Sequence, residues 1–362
     1  MSGAAVRRES GSWLFVLLLF AFGFFGLFWG TFAVLLADLS GALGLSPGPL
    51  GFALFVGAAA SILAMALLGR IADRLDRRQF LVASAGVFGA GIVGLALTGS
   101  YKTLLAALVT LYAASGLYDV GINAAAVDLE KSTGRRFMTL LHAAFSGGAV
   151  AGALSAGAML AAGMNYRFVY LGVLLPLGAV ILMVTLTRFP PSAESLERAK
   201  EIERSRLYRN VPLLLVAAIA TLGLLSEGEM EHWSGIYLRQ SLALPALVGA
   251  SGVAVFHAAM AVGRLGAAGA VLRLGNRRTL LGAGLLTAGD GALFSNPGAA
   301  SRRRRVPRRG AGALGGGARG LLHGRRPGTL RKGRSGHLGR HHLRVRRFSP
   351  GTGDRRRAGG GF

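Results

Sequence analysis

The sequence predicts an all-α protein that spans a membrane, and composition, long apolar stretches and the placement of charge each indicate it. Of the 362 residues, 52% are hydrophobic and 16% are charged, which is too apolar for a water-soluble chain of this length. Apolar stretches of about 20 residues recur, the length that an α-helix needs to cross roughly 30 Å of hydrocarbon. Basic residues gather in alternate connections between them. A bilayer is therefore the expected surrounding.

Nine stretches are predicted to span the membrane. The first, residues 13–37, is longer than the apolar part of a signal peptide and has no cleavage site of small residues. The others lie near residues 50–69, 79–99, 103–127, 137–161, 166–187, 211–229, 247–270 and 278–295. A polar connection divides them, so we predict a six-helix bundle over 1–187, a cytoplasmic linker over 188–210 and a partial second bundle over 211–296.

The distribution of Lys and Arg predicts the orientation of the chain. With a cytoplasmic N-terminus, 19 basic residues of positions 1–296 fall inside and only Lys102, Arg167 and Arg239 fall outside. Cytoplasmic loops of membrane proteins carry this excess. We expect a multi-pass protein of the cell membrane, in bacteria the inner membrane, with its N-terminus in the cytoplasm and the lipid bilayer as a partner.

The net charge of +25 is concentrated in the last part of the chain. Residues 297–362 contain 19 Lys and Arg against one acid, Asp354, which leaves a charge of +7 on residues 1–296. Nucleic-acid binding is therefore not expected of the apolar part. The chain has no cysteine, which excludes disulfides and thiolate chemistry.

A basic segment between the second and third stretches has a fixed pattern of glycine, acid and arginine. It reads Gly69-Arg70-Ile71-Ala72-Asp73-Arg74-Leu75-Asp76-Arg77-Arg78. A degraded copy follows the eighth stretch and contains Gly263, Arg264, Gly275, Arg277 and Arg278, with Ala268 and Leu272 at its acidic positions. An ordinary positive-inside loop would explain the arginines but not the spacing of Gly and Asp.

These two segments resemble the cytoplasmic signature G-x-x-x-D-R-x-G-R-R of the major facilitator superfamily, with Asp76 at the second glycine. The resemblance implies two related six-helix bundles that rock about a central binding site. It also implies that Gly69, Asp73, Arg74, Arg77 and Arg78 form a conformational motif, in which Asp73 caps a helix or pairs with Arg. The charge lock of the second copy is in doubt because its acids are missing.

The fourth stretch carries polar side chains on one helical face. Tyr112, Ser115, Asp119 and Asn123 are spaced three, four and four residues apart. A carboxylate near mid-bilayer costs roughly 2.5 to 3.5 kcal/mol on insertion scales, so it is usually functional or paired. Two interpretations stay open, a cavity-lining proton site and a structural polar contact between the fourth and fifth helices.

The region around this stripe is similar to the fucose and glucose proton symporters and to bacterial inner-membrane carriers related to them. The similarity rests on Leu117 to Asn123, Arg135 to Met138 and His142 to Gly148, and it extends from residue 13 to about 290. It implies that Asp119 carries protons and that Asn123 contacts substrate. His142, with Ser146, is a second cavity candidate or an interhelical hydrogen-bond partner, and Gly148-x-x-x-Gly152 predicts close helix contact.

Three acids and a histidine follow the seventh stretch, in the segment Ser226 to Ser234. The segment resembles an E-G-x-x-x-D-W-S stretch of the same carriers, with His232 in place of the acid. We expect Glu227 to line the outer mouth of a pathway and the rest to form a solvated turn, since the spacing is not that of a zinc site. Asp38 is expected to be a loop acid at the outer surface, and His257 is a further cavity candidate.

The function that these patterns favour is secondary active transport of a small solute by alternating access. No phosphate loop, nucleophile elbow or His-Glu-x-x-His motif is present, so we predict no enzyme, cofactor or metal. Proton coupling, a sugar-like substrate and a monomer are the first expectations. The alternatives are a drug or metabolite efflux carrier, a membrane sensor that does not transport, and the inactive product of a damaged gene.

The basic tail, residues 297–362, has two interpretations. It is either a disordered cytoplasmic segment or the product of a shifted reading frame, because GC-rich codons for Ala, Leu and Gly read one base off give Arg, Pro, Gly and Ala. We favour the shifted frame, because the ninth stretch loses its apolar pattern between Asp290 and Asn296. A protein with twelve expected spans would continue at that point.

Overall fold

The computed structural model describes residues 2–72, 75–189 and 210–295, with side chains described for 12–68, 75–189 and most of 210–286. Every regular element within these ranges is helical, which confirms the predicted all-α class. The basic tail and most of the predicted linker lie outside the described residues. The chain divides into one compact unit over Met1–Thr287 and a second over Ala288–Phe362.

Six of the predicted spans precede the linker. They are α1 (Ser2–Ala42), α2 (Pro47–Ala72), α3 (Arg77–Leu97), α4 (Tyr101–Thr133), α5 (Met138–Ala161) and a sixth span made of α6 (Tyr166–Gly172) and α7 (Leu174–Leu186). The sixth span is interrupted at Val173, where the backbone turns away from regular α-helical bonding. Gly172 precedes the break, and Pro176 lacks the N–H that would bond the carbonyl oxygen of residue 172, so the sequence accounts for it locally.

The second half begins with α8 (Val211–Ile236), which continues into a π-helical turn at Tyr237–Ser241. It is followed by α9 (Ala246–Ser295), in which Gly275 has a positive φ of 77° and divides the helix into two segments. Among the described residues, eight helices are long and apolar enough to cross a membrane, and they match the first eight predicted spans. The ninth predicted span lies in the segment of α9 after Gly275.

Helix ends are set by side chains that bond the free backbone groups of the first turn. The Ser100 hydroxyl accepts the Thr103 N–H, and the Thr103 hydroxyl accepts the Ser100 N–H at 3.0 Å, which is a capping box at the start of α4. The Asp76 carboxylate accepts the N–H groups of Arg78 and Gln79 at 2.9 and 3.3 Å and so begins α3. The acid that stands where the resembled signature has glycine therefore has a structural role.

The first half is held together by close contact of α1 with α5. A Cβ atom on Gly148 would overlap the backbone of Gly23, and one on Gly152 would overlap the backbone of Leu27. Gly30 of α1 meets α5 in the same way. Since only glycine lets two backbones approach so closely, the predicted packing of the Gly148-x-x-x-Gly152 segment is confirmed.

Candidate functional site

The polar segment Ser226 to Ser234 lies inside α8, which runs on to Ile236. The interpretation of this segment as a solvated turn was therefore wrong. The helix continues because its acids face partners rather than water: Glu231 is only 8% exposed, whereas Glu229 on another face is exposed. Glu227 and Glu231 are four residues apart and so share the face that meets α9.

Glu231 pairs with a fully buried histidine of α9. The Glu231 Oε1 atom lies 3.1 Å from His257 Nε2, and none of the His257 side chain is exposed. The imidazole ring contacts Phe145 of α5 and Phe256, with ring centroids 6.2 and 5.4 Å away. His257 Nδ1 is buried and has no hydrogen-bond partner among the described residues. The imidazole is thus bonded to one carboxylate and bordered by two aromatic rings.

Glu227 pairs with Arg264, two turns further along α9 from His257. The shortest distance between their charged groups is 3.7 Å, and both side chains are half-buried. Arg264 Nη1 also donates to the Ser146 hydroxyl at 2.9 Å and to the His142 carbonyl oxygen at 3.5 Å. Arg264 therefore joins α8, α9 and α5, although the sequence assigned it to a conformational motif.

His232 of α8 contacts Tyr112 of α4. Its Nδ1 lies 2.7 Å from the Gly228 carbonyl oxygen, so in the neutral ring Nδ1 carries the hydrogen and Nε2 accepts from the Tyr112 hydroxyl at 3.1 Å. The ring of this histidine, His232, lies edge-on to Trp29 and Phe32 of α1. Sequence reasoning had set His232 aside as part of a turn.

The four polar residues that were predicted on one face of α4 do not form a single hydrogen-bonded network. Asn123 Nδ2 donates to Asp119 Oδ1 at 2.8 Å and to the Asp119 carbonyl oxygen at 2.9 Å. Ser115 donates to the Tyr112 carbonyl oxygen at 2.9 Å. Asp119 is half-buried, and no cationic side chain of the described residues lies within 4.0 Å of its carboxylate.

His142 was predicted to line a cavity or to form an interhelical hydrogen bond. Its ring contacts Phe22 of α1, with centroids 5.4 Å apart, and its carbonyl oxygen accepts from Ser146 and Arg264. Within the described part of the chain, the backbone of His142 thus bonds Arg264 of α9, which pairs with Glu227 of α8. Its ring packs in an aromatic contact.

The first copy of the glycine and arginine motif is described in part. Asp73 and Arg74 lie outside the described residues, and Gly69 lies near the end of α2. Arg77, 5% exposed, donates from Nη2 to Asp128 Oδ2 of α4 at 3.0 Å, and Arg78 donates to the Thr185 carbonyl oxygen of α7 at 3.1 Å. Asp128 was missed by sequence reasoning, although an acid near the end of an apolar span was a usable signal.

Among the described residues of the second copy of the motif, Arg264 forms an ion pair with Glu227 of α8, an acid outside the motif. Gly263 borders open space, and Gly275 forms the break in α9. Arg277 and Arg278 follow that break. The acidic positions of this copy hold Ala268 and Leu272, and the carboxylate that Arg264 contacts comes from α8 instead.

Asp38 and Arg239 form an ion pair between α1 and the π-helical turn. Gln240 Nε2 adds hydrogen bonds to the Ala37 carbonyl oxygen at 2.8 Å and to the Ser40 hydroxyl at 2.9 Å. The expectation of a loop acid at Asp38 was wrong, because α1 continues to Ala42 and the carboxylate meets an arginine of the second half.

Comparison with known proteins places these helices in a known family. The Major Facilitator Superfamily model matches residues 18–299. The chain is 28% identical over 270 residues to an uncharacterised MFS-type transporter of Yersinia pestis, covering 74% of this chain and 68% of that protein. It is also 28% identical over 247 residues to the membrane protein MosC of Rhizobium meliloti, covering 68% of this chain and 59% of MosC.

Among solved structures, the helices resemble those of the nucleoside transporter NupG. The TM-score is 0.53 at 14% sequence identity, with 72% of this chain and 66% of that chain covered. At this identity the likeness concerns the fold. The chain thus spans between about three-fifths and two-thirds of the length of the proteins it matches.

Proposed function

Because the chain belongs to the major facilitator superfamily, we propose that it is a secondary active transporter that moves a small solute by alternating access and is coupled to protons. In this proposal it acts as a monomer in the cell membrane, with its N-terminus in the cytoplasm. The excess of basic residues in the connections predicted to be cytoplasmic supports that orientation. The solute binds between the first six helices and the helices that follow the linker.

The observation that carries the proposal is a set of ionisable and polar contacts between the two halves, inside helices long enough to span the bilayer. Tyr112 of α4 bonds His232 of α8, and Ser146 of α5 bonds Arg264 of α9. Polar groups at membrane depth are costly and usually serve a pathway. Contacts that cross the boundary between two rocking bundles must break and re-form in each cycle, so they can couple ion binding to movement.

We assign proton uptake to Asp119. Its carboxylate is half-buried, accepts a hydrogen bond from Asn123 and has no cationic partner among the described side chains. A proton would therefore neutralise it without breaking an ion pair. The neutral, loaded carrier would then close and reopen to the other side, with Tyr112, Ser115, Asn123, His142, Glu227 and His257 along the pathway.

The glycine and arginine segment after α2 serves as the conformational lock of this proposal. Arg77 and Arg78 fix the start of α3 to α4 and α7 through the Asp128 carboxylate and the Thr185 carbonyl oxygen. The lock would rearrange when the two halves move.

A sugar or polyol is the first substrate class to test. The resemblance to sugar symporters favours it, and the hydrogen-bonding groups of Tyr112 and His232 beside the Trp29 ring suit a hydroxyl-rich ligand. Export of a metabolite or drug is the second candidate, and a panel that includes cationic dyes separates the two.

The test is transport by the full chain reconstituted in liposomes with an imposed proton gradient. The wild-type protein should accumulate a solute of the panel only with the gradient, and Asp119→Asn should abolish accumulation while solute exchange persists. Glu229→Gln, an exposed acid in α8, is the matched control and should leave transport unchanged. Unchanged proton dependence in Asp119→Asn would remove Asp119 from its role, and a wild-type protein that binds solutes without moving them would favour a sensor.

A further inference from the structure

We propose that the Glu231–His257 pair is a second proton-binding site, distinct from Asp119, that holds one exchangeable proton at the interface of α8 and α9. The site is identified by its own geometry. It rests on the proposed function only for the use that the carrier makes of the proton.

The two protonation states of the pair have opposed costs. Without the extra proton, Glu231 is charged, His257 is neutral, and a single negative charge is buried between them. With it, the pair has no net charge, which a low-dielectric surrounding favours. His257 Nδ1 then carries a hydrogen that has no described acceptor, and an unsatisfied buried donor costs free energy. Because neither state is free of a penalty, a proton can be both bound and released.

The summed charge of the pair and its charged neighbours also favours the binding of one proton. Glu227, Arg264, Glu231 and neutral His257 sum to one negative charge, and one added proton makes the cluster neutral. The cluster lies within helices that are long enough to cross the bilayer. A neutral cluster is the form that can move through a low-dielectric region at the lower cost.

The site also lies beside two of the contacts that join the two halves, Tyr112–His232 and Arg264–Ser146. Glu231 interacts electrostatically with Tyr112 of α4 and with Glu227, and Glu227 interacts with Arg264 and His257. His232 is adjacent to Glu231 in α8 and bonds Tyr112, and Phe145 of α5 borders the His257 ring. A change of charge at Glu231 therefore changes the electrostatic potential at the Tyr112–His232 and Arg264–Ser146 contacts. Proton binding at this pair can favour or oppose separation of the halves.

The experiment counts protons on the purified full chain in lipid nanodiscs, with no solute present. A pH-indicator dye in weak buffer records uptake between alkaline and mildly acidic pH. Glu231→Gln should take up about one proton fewer per chain than the wild-type protein, because the neutral amide still accepts from His257 but supplies no negative charge for the added proton to neutralise. Glu229→Gln should match the wild-type protein. Equal uptake by Glu231→Gln and the wild type overturns the proposal.

A second measurement detects the protonation of the pair by its infrared spectrum and compares the wild-type protein with two variants. Infrared difference spectra between the two pH values, recorded with isotope-labelled Glu or His, should contain a label-sensitive protonation signal in at least one of the two preparations. This signal should be absent in Glu231→Gln and present in Asp119→Asn. No such Glu or His signal in the wild type would contradict the site. A chain that binds this proton but transports nothing would contradict the proposed function alone.

Discussion

Buried polar groups are satisfied differently in the two halves of the molecule. Several of those in α1 to α7 bond within that half: Tyr118 donates to the Ala21 carbonyl oxygen at 3.1 Å, and Thr31 donates to that of Gly152 at 3.2 Å. In α8 and α9, Glu231 needs His257, and His232 needs Tyr112 of the first half. The first half thus satisfies several buried polar groups by itself, whereas His232 of the second half depends on a contact that crosses the boundary.

The largest expected effect comes from breaking the bundle of the first half. Gly152→Leu should prevent stable folding, because the new side chain would overlap the backbone of Leu27 in α1. Gly147→Leu is the matched control, since nothing lies within 4 Å of a Cβ at that position. Yield of monodisperse protein and thermal stability in detergent measure both. Equal stability of the two variants would contradict the close α1–α5 contact.

A smaller but still large effect is expected at Arg77. Arg77→Gln should destabilise the protein by about 3–5 kcal/mol at most, because it leaves Asp128, which is 19% exposed, without its charged partner. Arg77→Gln combined with Asp128→Asn should recover part of the loss, since no unpaired charge remains. Denaturation of the purified variants is the measurement, and a double variant less stable than Arg77→Gln alone would contradict the pairing.

The smallest effect is expected at two buried tyrosines of α4. Tyr118 bonds within the first half, whereas Tyr112 bonds the second half. Tyr118→Phe should lower stability by about 0.5–1.5 kcal/mol, the value of a typical hydrogen bond, and leave proton-driven transport intact. Tyr112→Phe should have a similar or smaller effect on stability and should slow transport, because it removes the bond to His232. Thermal denaturation and liposome uptake of both variants measure these effects. Identical transport by the two variants would contradict a special role of Tyr112 in transport.

The apolar helices were predictable because each is long and its composition alone decides that it lies in a bilayer. Eight of them are found where the sequence placed them, although α1 and α8 run beyond their predicted ends. Those ends depend on tertiary partners: Asp38 and Glu231 resemble loop acids until Arg239 and His257 are known to face them. The break at Val173 had a local signal in Gly172 and Pro176, which the prediction of one span over 166–187 did not use.

The candidate site was predictable in part. Spacing identified Asp119 and Asn123 as residues of one helical face, and the structure adds that they bond each other. Spacing within one helix cannot tell which other helix is opposite, so the partners of Tyr112 and Arg264 were not found. His232 was overlooked because a histidine beside two acids is as typical of a solvated segment as of a buried one.

In the proposed transport cycle, the ion pair of Asp38 and Arg239 would make the balance between conformations sensitive to ionic strength. Both side chains are partly exposed, at 23% and 21%, so dissolved ions screen their attraction far more than that of Glu231 and His257. Any movement that separates α1 from the π-helical turn must break this contact and the hydrogen bonds of Gln240. Salt would therefore ease the opening of this end of the helices while leaving the buried cluster largely unaffected.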